Sequence, residues 1–175
     1  MFRNVLKIRI LCASALLFWG ASLGPVLHAH SDGVSPEFVD ALVEEYLATQ
    51  NALSEGDLQT ANRHGKSLSK SFNLGPSEGA HSRFSAIRRS AHRIGKSQQL
   101  SAARSEFSKL SVALADALED LERSESTSLF LFKCNTAQSG QGAVWIQQER
   151  TASSPYGCSP NSCDATFDRI INTHG

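Results

Sequence analysis

Methionine is nearly absent: Met1 is the only one in 175 residues, so no thioether can serve as a metal ligand once a leader is removed. The local signatures of the common small-enzyme chemistries are missing too. The chain has no Gly-rich phosphate loop, no His-Glu-x-x-His, no Cys-x-x-Cys-His and no Gly-x-Ser-x-Gly, and it reads as non-catalytic. A basic excess is also lacking, with 17 Lys+Arg against 17 Asp+Glu. Removing the first 29 residues takes three bases and no acid, which leaves 14 against 17, a formal charge of −3. That balance argues against nucleic acid as a partner, because phosphate neutralisation needs a clustered cationic excess.

Long apolar runs are scarce as well. The one that leads the chain, Ile10 to Trp19, follows Arg3, Lys7 and Arg9 and gives way to Gly20, Gly24 and Pro25. The order of basic, apolar and small residues is that of a signal peptide over residues 1–29, and the apolar part is short for a bilayer span. Cleavage after Ala29 makes His30 the new N-terminus, whose amine and imidazole could serve a copper ion. No membrane span is expected after cleavage, and the expected location is periplasmic or secreted. Cys12 falls in the leader, so the mature chain keeps Cys134, Cys158 and Cys163. The other histidines, at 64, 81, 92 and 174, are dispersed and read as surface residues.

What the sequence does contain is helical periodicity. Ser35-Pro36-Glu37 is a helix start, with Ser as cap, Pro where its missing N–H costs nothing and an acid at the positive end of the dipole. Phe38, Leu42, Tyr46, Thr49 and Leu53 then form one stripe. Gly56-Asp57 opens a second helix with Leu58, Ala61, Gly65, Leu68 and Phe72 on its inner face, and Leu74-Gly75-Pro76 closes it. A third, capped by Ser77 or Ser82, carries Phe84, Ile87, Ala91 and Ile94, with arginines and histidines on its other faces. The fourth runs Leu100, Ala103, Phe107, Leu110, Leu114, Ala117, Leu121 in alternating steps of three and four, and its acidic end frays into Ser124–Ser128.

Beyond that joint the grammar changes. Leu129 to Phe132 and Ala143 to Gln147 read as two short strands around a glycine loop, with turn-forming residues from Thr151 to Asn161. Phe167, Ile170 and Ile171 form a last helical turn or strand. The expected fold is mainly α: an antiparallel four-helix bundle with a small C-terminal β-hairpin cap. One domain is expected over 30–175, with its strand-containing segment at about 129–171.

Certain landmarks resemble a known family. Cys134-Asn135-Thr136-Ala137, Gly142-Ala143-Val144-Trp145-Ile146 and Pro155-Tyr156-Gly157 with Cys163 are similar to the C-terminal pattern of the domain-of-unknown-function 3347 family. Arg104, Phe107, Leu110, Ser111 and Leu114, and Asp57 with Ala61, look like its helical motifs. That family occurs in exported bacterial proteins, alone and appended to periplasmic adaptors of copper/silver efflux pumps. The two methionines of its pattern are replaced here by Thr136 and Pro160, and Asp164 stands where glycine is usual. The resemblance implies a non-catalytic periplasmic protein that binds a soft transition metal such as Cu(I) through Cys134, Cys158 and Cys163. Its partner would be a heavy-metal efflux protein or another envelope protein. The alternative is a disulfide-stapled structural or protein-interaction module without metal, in which the family positions Cys134 and Cys163 pair. Both readings draw on the same sulfurs, and the sequence leaves both open.

Overall fold

The computed structural model describes residues 33–73, 84–125, 127–157 and 164–171. Helix α1 (Pro36–Glu55) starts as its sequence dictates, with the Ser35 hydroxyl accepting from the Phe38 N–H at 3.3 Å. It ends at Gly56, whose φ of 77° is the left-handed conformation that glycine adopts without strain. Its carboxyl neighbour, Asp57, accepts from Thr60 N–H at 3.0 Å and opens α2 (Leu58–Ser71). The expected stop at Leu74-Gly75-Pro76 and the caps Ser77 and Ser82 lie outside the described residues. Helix α3 (Ser85–Ile94) and helix α4 (Leu100–Leu118) follow. Ala103, Phe107, Leu110, Leu114 and Ala117 are all buried, and so is Leu121 just beyond the helix end.

The long helices pack in chain order, α1 on α2, α2 on α3 and α3 on α4. Where α2 crosses α3, Gly65 admits the partner so closely that a Cβ there would stand 2.8 Å from Ile94 Cγ2 and 3.0 Å from the Ala91 carbonyl. Phe38, Phe72 and Phe84 close one end of this layer with ring centroids 5.6–5.9 Å apart. The first helix meets the last where Tyr46 stacks on Phe107 at 4.9 Å.

The C-terminal part is a three-stranded antiparallel sheet, one strand more than the expected hairpin. Strands β1 (Leu129–Cys134), β2 (Ala143–Gln147) and β3 (Ala165–Ile171) lie in the order β2-β1-β3. The added strand contains Phe167, Ile170 and Ile171, and its weak alternation hid it, since only Ile171 is buried. In β3 Arg169 faces Leu131 and Phe167 faces Phe132, so Asp168 is the extra residue of a bulge. Between β1 and β2 a short turn, α5 (Ala137–Gly140), puts Gln138 and Ser139 at φ of 54° and 58°. Trp145 is fully buried against Phe132, with centroids 5.6 Å apart.

The joint after α4 is anchored rather than frayed. Arg123, with 1% of its side chain exposed, donates to Asp40 Oδ1 at 2.9 Å and to the Thr127 carbonyl at 3.1 Å. The second Asp40 oxygen accepts from the Ser124 and Glu125 amides. A buried arginine is tolerated because its charge is paired and its N–H groups are bonded. Among the described residues no helix is long and apolar enough to cross a membrane.

Candidate functional site

Cys134 closes β1, opposite Ala143 on one side and Ala165 on the other, and is fully buried. Its Sγ lies 3.4 Å from Thr136 Oγ1. Cys158 and Cys163, like His30, His81 and His174, lie outside the described residues. Among the described residues no three His, Cys, Asp or Glu side chains gather in a way that could hold a metal ion. His64 is not the bare surface residue expected: its Nδ1 lies 2.8 Å from Glu45 Oε2, and the Ser67 hydroxyl donates to the other oxygen at 2.6 Å. His92 is exposed, as expected.

The motif residues on α4 and in the late loop meet at a junction between the helices and the sheet. Arg104 donates through Nε to the Pro155 carbonyl at 2.7 Å and through Nη2 to the Leu53 carbonyl at 2.9 Å. The guanidinium thus ties the loop to the end of α1. Gly157 packs on that guanidinium, where any side chain would collide with it. Between them, Tyr156 donates to the Val144 carbonyl at 2.6 Å and sets its ring 6.0 Å from Trp145 and 6.3 Å from Phe107.

Ser111 takes part in a buried chain of hydroxyls. It donates to the Phe107 carbonyl at 2.9 Å. Its only proton is then spent, so the Tyr46 hydroxyl, 2.7 Å away, must be the donor to Ser111. Tyr46 Oη in turn accepts from the Ile146 N–H at 3.0 Å. The Val144 carbonyl and the Ile146 amide belong to alternate residues of β2, so they project from the same edge of that strand. Two tyrosines therefore each bond one backbone group on the edge of β2 that β1 does not cover. Burial pushes the pKa of both upward, for Tyr46 with a further contribution from the nearby Tyr156, and both stay neutral hydrogen-bonding groups.

Sequence reasoning missed two glutamines that complete the junction. Gln147 Oε1 accepts from Trp145 Nε1 at 2.8 Å and from Ser153 N–H at 3.0 Å, while its Nε2 donates to the Glu149 and Thr151 carbonyls at 2.6 and 2.7 Å. All four of its hydrogen-bonding positions are used. Gln50 on α1 donates to the Ser153 carbonyl at 2.7 Å. The available signal was a polar side chain on an apolar stripe: Gln50 is 1% exposed within the buried face of α1. Chemically the junction holds and orients, since its polar groups are occupied by one another.

The remaining motif pair is structural in the same way. Asp57 caps α2, and its carboxylate pKa is held low chiefly by the hydrogen bond from the Thr60 amide, while Ala61 is fully buried. Comparison with curated proteins and with solved structures finds no match. A family model does match, from within α1 through α2, α3 and α4 to just past Arg123, ending before β1. Residues 42–126 match the model of the family described as Protein of unknown function (DUF3347).

Proposed function

We propose that this is an exported, non-catalytic protein of the periplasm or cell surface, a structural or protein-interaction module whose sheet is stapled by a disulfide between Cys134 and Cys163. The observation that carries the reading is Cys134 itself, a fully buried side chain at the end of β1 in the middle of the sheet. Register supports the choice of partner. Ala165 lies opposite Cys134, and Cys163 precedes Ala165 by only two residues in the sequence. Cys158 follows Gly157, which is packed on Arg104 of α4. A signal peptide delivers the chain to an oxidising compartment, where such a bond persists. Closing this loop contributes roughly 3.5 kcal/mol on the chain-entropy model. We further take the four long helices as one antiparallel bundle, on the support of the Tyr46–Phe107 stack between the first and the last.

The soft-metal reading uses the same three sulfurs in reduced form, with Cu(I) held by Cys134, Cys158 and Cys163 and passed to an efflux partner. The disulfide is preferred because Cys134 is fully buried between its two strand neighbours and the chain lacks methionine beyond Met1. The test is a count of free thiols in protein purified after export, with and without added Cu(I), together with masses of non-reduced peptides. The expected result is a linked Cys134–Cys163 peptide, a single free thiol on Cys158, and an intact mass lacking about 29 leading residues. Three free thiols with stoichiometric Cu(I) would transfer the chain to the metal reading.

A further inference from the structure

The even charge balance of the whole chain conceals a strong asymmetry. Between Asp57 and Glu106 the sequence holds one acid, Glu78, against nine Lys and Arg. The fold sets the two helices of that stretch side by side. Lys66 of α2 lays its stem along Gly95 at the end of α3, while Ser69 of α2 shares an open groove with Arg88, Arg89 and His92 of α3. Arg63, Lys66 and Lys70 recur at three- and four-residue steps along the outer face of α2, and all are exposed, as are Arg88, Arg89 and His92. Among the described residues none of Arg63, Lys66, Lys70, Arg88 and Arg89 makes an ion pair.

We infer that the paired α2–α3 face is an electrostatic docking surface for an anionic phospholipid bilayer. Charge complementarity gives the sign of the partner, and the composition of the face gives its class. Protein interfaces are anchored by buried apolar and aromatic groups. The exposed large hydrophobic residues here, Val112, Phe167 and Ile170, lie on α4 and β3, and none lies on α2 or α3. Adhesion to headgroups needs only cations held near one plane, at about 1 kcal/mol each. A second copy fits less well. The acidic helix α1 carries five acids and no base, but Glu45 is engaged by His64 and Ser67, and Asp40 by Arg123. The inference does not depend on whether the cysteines hold a disulfide or a metal.

The experiment sediments the full chain, purified after export, with phosphatidylcholine vesicles that contain or lack about a third phosphatidylglycerol. The expected result is binding to the anionic vesicles at low salt and release at about 0.5 M salt, where the screening length falls to roughly 4 Å. Arg88→Ala and Lys66→Ala each weaken binding about five-fold, while Lys133→Ala, on the sheet, leaves it unchanged. Equal binding to both vesicle types, or insensitivity to the Arg88 and Lys66 variants, overturns the inference. So does equally tight retention on duplex DNA, which would make the face a general polyanion binder. Sedimentation of the protein alone showing salt-sensitive self-association, abolished by the same variants, would assign the face to a second copy and overturn it too.

Discussion

The crossing of α2 over α3 and the junction of α1 and α4 with the sheet are both buried contacts, held by opposite means. At the crossing, close approach comes from what is missing: Gly65 has no side chain, so Ile94 and the Ala91 carbonyl occupy that space. At the junction, the contact comes from polar groups placed where they satisfy one another, including Tyr46, Ser111, Gln50, Gln147 and Arg104. The first kind of contact tolerates no added atom; the second tolerates no lost partner. A single protein thus offers a steric and a polar limit of packing, each with its own response to mutation.

Phe107 packs against both junction tyrosines, and its loss should be the most damaging. It is fully buried mid-stripe on α4, and stacks on Tyr46. Phe107→Ala is expected to cost about 3–5 kcal/mol in denaturant unfolding; a variant melting within a degree or two of the parent would refute the packing described.

Gly65→Ala tests the steric side. In an exposed helix that change gains roughly 1 kcal/mol, but here the new methyl meets backbone of α3 that cannot move cheaply. A net loss of about 1–3 kcal/mol is expected, and a gain in stability would mean that the helices cross less closely. Tyr46→Phe tests the polar side at a similar magnitude. It leaves the Ile146 amide without an acceptor and Ser111 without its donor, for an expected loss of about 1–3 kcal/mol at nearly unchanged volume.

The tyrosines also give the junction a pH signature. Their folded pKa values lie above the unfolded value of about 10. The unfolded chain therefore releases these protons first as pH rises, and the stability present below about pH 10 is lost progressively above it. Thermal melts from pH 8 to 11 should show the loss, and Tyr46→Phe should shrink it. The smallest effect is local: Asp57→Ala removes the α2 cap and should lower the denaturant midpoint by less than any change above, independently of both contacts.

The same contrast explains what could be read in advance. The starts of α1 and α2 were legible because Ser35 and Asp57 act on amides three residues away, within the span of a local pattern. The stripe of α4 was legible because its period repeats over nineteen residues. The junction was not, because Tyr46 reaches Ile146 across 100 positions and Gln50 reaches Ser153 across 103, and no local spacing encodes such pairs. Only the resemblance of Arg104, Ser111 and Pro155-Tyr156-Gly157 to a family pattern marked those positions, and it said nothing of what they touch. Strand β3 escaped a firm reading for another reason: five consecutive exposed residues and a bulge erase the period of two.

The two tyrosine hydroxyls on β2 have a consequence for self-assembly. Growth of a cross-β fibre requires each added molecule to offer a vacant edge on both flanks. In this sheet one flank is already occupied by Tyr46 and Tyr156, so recruitment can proceed only through β3, where the bulge at Asp168 and the charge of Arg169 obstruct alignment. Two molecules joining through β3 would present only their tyrosine-covered flanks. Assembly would terminate there, and a solution held for weeks should stay free of fibrils.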